Sequence, residues 1–136
     1  TIMGFHHYFS QKKDDFKAYP ILPDKNKDGE HRIEGIGDSF IPKIVDLQAL
    51  SPVLRVKDAD AINIARQINR LGLSVGISSG ANVFGAILKA FALPEGSMVA
   101  TILCDDNKKY LTTDLCSDKE EKSSRDIKIL DFELFS

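Results

Sequence analysis

Residues 73–91, LSVGISSGANVFGAILKAF, limit what this chain can fold into more than any other stretch. A short apolar run, Leu73-Ser74-Val75, enters a polar turn bounded by glycines, Gly76-Ile77-Ser78-Ser79-Gly80. The turn opens into a segment that is apolar almost all round: Ala81, Val83, Phe84, Ala86, Ile87, Leu88, Ala90 and Phe91. A helix with so little polar surface is a buried one, so other layers must cover it. Strand, glycine turn and buried helix also frame a polar ligand. The first N–H groups of the helix lack intrahelical acceptors, and the helix dipole adds partial positive charge there.

The flanking segments supply candidate layers. Residues 16–22, FKAYPIL, read as a short strand that Pro20 confines to an edge. Residues 52–56, PVLRV, read as a second strand. Asp58 can cap a helix running to about Leu71, with Ala61, Ile64, Ala65, Ile68 and Leu71 as its stripe and Gly72 as its stop. Residues 98–104, MVATILC, form a continuous apolar run of the kind buried on both faces in a parallel sheet. Residues 127–135, IKILDFELF, alternate well enough for a final strand with one covered face. Residues 43–50 read as a short helix or turn, and residues 117–126 as a charged, mobile segment. Residues 1–13 read as a helix from the outset, with Ile2, Phe5 and Phe9 on one stripe, which suggests a piece of something longer. Strands alternating with helices over 136 residues predict one α/β domain, a three-layer sandwich with a largely parallel sheet.

Composition narrows the partners. A net charge of -2 gives no electrostatic reason to expect nucleic acid or an anionic membrane, and no apolar run approaches the ~20 residues of a membrane span. Cys104 and Cys116 are too few for a disulfide framework and lack metal-ligand spacing, so a reducing cytoplasm is the expected compartment. Residues 23–30, PDKNKDGE, match the first half of a calcium loop, but Gly35 stands where a bidentate Glu is needed, so a solvated turn is expected. His6 and His7 are adjacent and point to different helix faces, which rules them out as a helical metal pair.

The serine turn satisfies G-x-S-x-G between a strand and a helix, the pattern of a hydrolase nucleophile elbow. That chemistry needs a histidine after the serine, and His6, His7 and His31 all precede Ser78. The nucleophile reading therefore fails. A purely structural turn with the serines as caps remains open on the pattern alone.

Three spaced motifs together are more specific. Gly76-Ile77-Ser78-Ser79-Gly80-Ala81, then Ala100-Thr101-Ile102-Leu103, then Tyr110-Leu111-Thr112-Thr113 resemble the C-terminal half of the cysteine synthase (O-acetylserine sulfhydrylase) family. That family belongs to the fold-type II pyridoxal phosphate enzymes, with cystathionine β-synthase. Residues 31–42, HRIEGIGDSFIP, resemble the family's H-K-I-Q-G-I-G-A-G-F-I-P loop. Thr1 resembles the closing threonine of its phosphate-cradling G-T-G-G run. The resemblance covers nearly the whole chain in order. It implies pyridoxal 5'-phosphate as cofactor, a small amino-acid substrate, and β-elimination or β-replacement of the O-acetylserine-to-cysteine kind. It also implies a homodimer, and a Schiff-base lysine in an N-terminal half outside these residues.

The resemblance assigns roles by position. Ser78 would bond the pyridine nitrogen of the cofactor. A neutral hydroxyl does not force that nitrogen to be protonated as a carboxylate would, which favours β-elimination over transamination. Thr1 would join the phosphate site, and Cys104 stands where the family usually carries a proline close to the ring. Gly35, Gly37 and Glu34 would line the substrate loop. Glu34 replaces the family's Gln, and Asp38 and Ser39 replace two small residues. Two carboxylates near the substrate would disfavour an anionic nucleophile such as sulfide. A buried, strand-end state is expected for Cys104. The competing reading is a non-catalytic fragment or degenerate paralogue that keeps the fold for partner binding.

Overall fold

The computed structural model describes residues 1–24, 30–37, 40–117, 119 and 122–133. The calcium-like turn, Asp38 and Ser39 fall largely or wholly outside them. Helix α1 spans Ile2–Ser10 and strand β1 spans Ile21–Pro23. Strand β2 spans Leu54–Val56, helix α2 Asp58–Arg70 and helix α3 Ile77–Ala92. Two 3-10 turns follow, at Lys108–Tyr110 and Asp114–Cys116. The strands β1 and β2 pair in parallel, Ile21 opposite Leu54 and Pro23 opposite Val56. The class is thus α/β with a parallel sheet.

The core is the α2–α3 contact. Ala61, Ile64, Ala65 and Ile68 bury the stripe that the spacing predicts, and Ile62 joins them. From α3 they meet Ile77, Ala81 and Phe84. Close approach of the two helices depends on Gly80. A Cβ there would collide with the Ala61 carbonyl oxygen and lie 2.9 Å from the Ala65 Cβ. Gly72 ends α2 at φ 95°, its N–H on the Asn69 carbonyl at 3.0 Å. Asn69 then clamps Val75, accepting from its N–H at 2.9 Å and donating to its carbonyl at 3.0 Å. This turn fixes where α3 begins.

Several elements differ from the sequence reading. The N-cap of α2 is Lys57, and Asp58 lies in the first turn instead. Its carboxylate suits the positive helix end and accepts from the Arg32 backbone N–H at 3.0 Å and from Nε at 3.3 Å. Helix α3 starts at Ile77, capped by Gly76, so both serines lie inside its first turn. Residues 43–50 take the turn of the two forms expected, with the Val45 N–H on the Pro42 carbonyl at 2.9 Å, and contain no helix. Residues 98–104 form no ladder and are largely exposed, Met98 at 88%. Residues 127–133 also lack a strand neighbour among the described residues. The side-chain amide of Gln67 takes that place, donating to Ile127 O at 2.9 Å and accepting from Ile129 N–H at 2.8 Å. Nearby, the buried Asp60 carboxylate accepts from both Ser123 and Ser124 hydroxyls at 2.6 Å and from the Ser124 N–H at 2.6 Å. No described helix is long and apolar enough to cross a membrane.

Candidate functional site

The site grows from the first turn of α3. Ser78 and Ser79 are the second and third residues of that helix and both are buried. Asn82 lies one turn further along from Ser78, on the same side. These three side chains receive the segment 102–105. Asn82 Nδ2 donates to Ile102 O at 3.0 Å and lies 3.4 Å from Cys104 Sγ. The Cys104 backbone N–H donates to Ser79 Oγ at 2.8 Å. The extended segment is thus held by helix side chains, not by a neighbouring strand.

Asp105 is the centre of the polar contacts. Its Oδ1 accepts from Ser78 Oγ and from Ser79 Oγ, each at 3.4 Å. Its Oδ2 accepts from Tyr110 Oη at 2.6 Å and faces Lys109 Nζ at 3.3 Å. Its backbone carbonyl accepts from the Gly76 N–H at 3.0 Å. Gly76 has no side chain to keep this carboxylate away; a Cβ there would collide with Oδ1. A negative charge at the N-terminus of α3 also matches the helix dipole. Asn107 completes the turn, accepting from Ser74 Oγ at 2.8 Å and donating to Asn69 Oδ1 at 3.1 Å.

Tyr110 is 1% exposed. Its phenol is held well above the ordinary tyrosine range, first by burial, then by the hydrogen bond to Asp105, then by the negative charges of Asp105 and Glu34. Glu34 belongs to the loop at residues 31–37. That loop is anchored by Ile33, fully buried in the core, and by Arg32, which reaches Asp58 and pairs with Asp114 at 2.5 Å. The Arg32 hydrogen bond holds the Asp114 carboxyl below the usual carboxylate range. Gly35 and Gly37 both adopt φ 80°, a region that side-chain-bearing residues rarely enter.

Of the residues singled out in the sequence, the structure brings Ser78 and Cys104 to one place through Ser79 and Asp105. The negative charge of Glu34 adds to the upward shift of the Tyr110 phenol. Thr1 lies at the N-terminus of α1, exposed, with no cap bond from its side chain. Cys104 is exposed instead of buried, because residues 98–104 are not enclosed in a sheet. Sequence reasoning missed Asp105, Tyr110 and Asn82 as parts of the site. The available signal was the aspartate five residues before the motif tyrosine, at the end of the apolar run. The described residues contain no cluster of metal-ligating side chains. The cleft lined by Leu88, Phe91 and Ile127 lies at the far end of α3 from Ser78.

No protein-family model matches the chain. It is 45% identical over 96 residues to cysteine synthase B of Campylobacter jejuni subsp. jejuni, covering 71% of this chain and 31% of that protein. The solved hydrogen sulfide-producing enzyme of Fusobacterium nucleatum is 41% identical, with a TM-score of 0.83 over 91% of this chain and 39% of its own. The solved cysteine synthase of Entamoeba histolytica is 30% identical, with a TM-score of 0.79 over 90% of this chain and 39% of its own. The chain spans about a third of the length of the curated relatives it matches.

Proposed function

This chain belongs to the cysteine synthase family of fold-type II pyridoxal phosphate enzymes, and we propose that it forms the C-terminal portion of a member that carries out β-elimination or β-replacement on an amino acid. The observation that carries this is Ser78. A buried hydroxyl stands in the first turn of α3, where a heterocyclic nitrogen could reach it, and its described partner is a long 3.4 Å contact to Asp105. That hydroxyl is a neutral, buried partner that fits the nitrogen edge of pyridoxal phosphate.

When bound, pyridoxal phosphate draws electrons away from the substrate's Cα and so eases loss of the β-substituent. The chain's own residues bind and orient. Ser78 holds the ring nitrogen, Cys104 lies beside the ring, and Thr1 contributes to the phosphate site. Gly35 and Gly37 let the loop approach the substrate closely, and Glu34 sets its charge. The Schiff-base lysine comes from the N-terminal half of the family's chain, and the working form is a cytoplasmic homodimer. The exposed apolar run at residues 98–104 supports burial against that half, since contiguous apolar surface of this kind marks an interaction face.

The test uses the full-length protein containing this segment. Purified with pyridoxal phosphate, it should show a protein-bound cofactor absorbance that changes on mixing with O-acetylserine. Ser78→Ala should alter that band and lower turnover by about tenfold or more, the loss of roughly 1.4 kcal/mol of stabilisation. An unchanged spectrum and unchanged kinetics would remove Ser78 from the site.

A further inference from the structure

We propose that Ser79 and Asn82 are positioning residues that act through Cys104: by hydrogen bonding they restrain the chain at Leu103 and Cys104 as a proline ring at position 104 would, and so fix how Cys104 meets the cofactor. This rests on the function proposed above and deepens its account of Cys104.

Two ties bracket Leu103. Asn82 Nδ2 donates to the carbonyl before it, Ile102 O, at 3.0 Å, and Ser79 Oγ accepts from the N–H after it, that of Cys104, at 2.8 Å. Both are ordinary hydrogen-bond lengths. The orientation of the Asn82 amide is settled by its partner, since a carbonyl can only accept. Ser79 is 0% exposed, so water does not compete for its oxygen. Ser79 and Asn82 are three residues apart on α3 and therefore share a side of that helix. The Cys104 side chain follows the same anchor: Asn82 Nδ2, which has a second hydrogen to give, lies 3.4 Å from Sγ. Among the described residues no strand ladder holds residues 98–104, so these two side chains stand where ladder bonds would.

A proline at position 104, the residue that the family usually carries there, would restrain the same stretch covalently. Its ring locks its own φ at about −65° and pushes the preceding residue, here Leu103, into extended conformations. Cysteine imposes neither limit. It carries instead the N–H that proline lacks, and that N–H is the group Ser79 takes. The hydrogen-bonded restraint and the covalent one therefore act on the same two residues and exclude each other at Ser79. The chain keeps a defined backbone position at Cys104 and presents a free thiol there in place of a closed ring.

The experiment titrates pyridoxal phosphate into the full-length protein freed of cofactor and reads the dissociation constant from the protein-bound absorbance. Asn82→Ala should weaken binding about fivefold, the order of one lost hydrogen bond, and Ser79→Ala should act in the same direction. Both are then repeated together with Cys104→Pro. Cys104→Pro alone should bind within about twofold of the native protein, and either substitution added to it should cost less than about twofold, a coupling that a separate packing defect would not produce. If Ser79→Ala does not fold, Asn82→Ala carries the comparison alone. Equal losses in both backgrounds, or no loss from Asn82→Ala in the native one, overturn the inference. So does a Cys104→Pro protein that fails to fold or to bind the cofactor, because the proposal requires that proline fit there. Each of these results leaves the proposed function standing, whereas a native protein that takes up no cofactor overturns both.

Discussion

The Tyr110 phenol donates a 2.6 Å hydrogen bond to Asp105 Oδ2, and Tyr110 is 1% exposed. A turn of five residues thus folds back on itself so that an aromatic ring seats the carboxylate against the first turn of α3. Tyr110→Phe keeps the ring but removes the donor, leaving the carboxylate short of its strongest partner. The expected cost is about 1–3 kcal/mol, read as a lower midpoint in chemical denaturation at unchanged slope. A midpoint within error of the native protein would show that the ring alone does the seating.

The same phenol predicts a pH dependence. Its native pKa is raised, so the neutral form is favoured in the folded state while the unfolded chain ionises near the ordinary value of about 10. The contribution to stability is fully present below about pH 10 and is lost as pH rises through the folded value. Near pH 10, Tyr110→Phe should therefore not reduce the phenolate absorbance formed by the folded protein. A reduction by one tyrosine's worth would contradict the burial.

Gly80→Ala tests the α2–α3 contact. The new Cβ would collide with the Ala61 carbonyl, which is backbone and cannot swing aside. Overpacking of this kind costs roughly 1–3 kcal/mol. Thermal unfolding should shift down accordingly, and an unchanged melting temperature would mean that the helices separate freely.

Gln67→Leu tests the amide that stands in for a strand neighbour. It removes the bonds to Ile127 O and Ile129 N–H but keeps the side-chain bulk. At about 1 kcal/mol per bond, hydrogen exchange of the Ile129 amide should accelerate several-fold, with α3 unaffected. Equal exchange rates would show that residues 127–133 hold themselves in place.

Glu34→Gln tests the proposed place of Glu34 in a substrate loop. If the carboxylate faces the incoming nucleophile as proposed, relieving its charge is worth about 1 kcal/mol. With sulfide as nucleophile, turnover by the full-length protein should rise about fivefold, and less so at high salt. A rate that falls would place Glu34 in binding instead of repulsion.

The helices were legible in the sequence because a helix closes its own hydrogen bonds within four residues, and the stripe Ala61, Ile64, Ala65, Ile68 needs only a partner of any kind. The placement of Ser78 at the start of α3 was legible because it depends on local sequence. Asp105 and Tyr110 were not, because their role depends on a turn folding residues 104–110 back onto a helix that begins at residue 77. Residues 98–104 misled for a related reason. Apolar character records how much burial a segment wants, whereas the covering surface must come from elsewhere, and the family relatives are about three times the length of this chain.

The close α2–α3 packing through Gly80 also has a kinetic consequence. The two helices are joined by a turn of six residues, 71–76, so their contact spans little sequence and loses little loop entropy in forming. Contacts of that kind form early. The helical hairpin should therefore be the first persistent structure, with residues 102–110 and 127–129 adding to it afterwards. Mutations at Gly80 should then slow folding, and those at Gln67 should chiefly hasten unfolding.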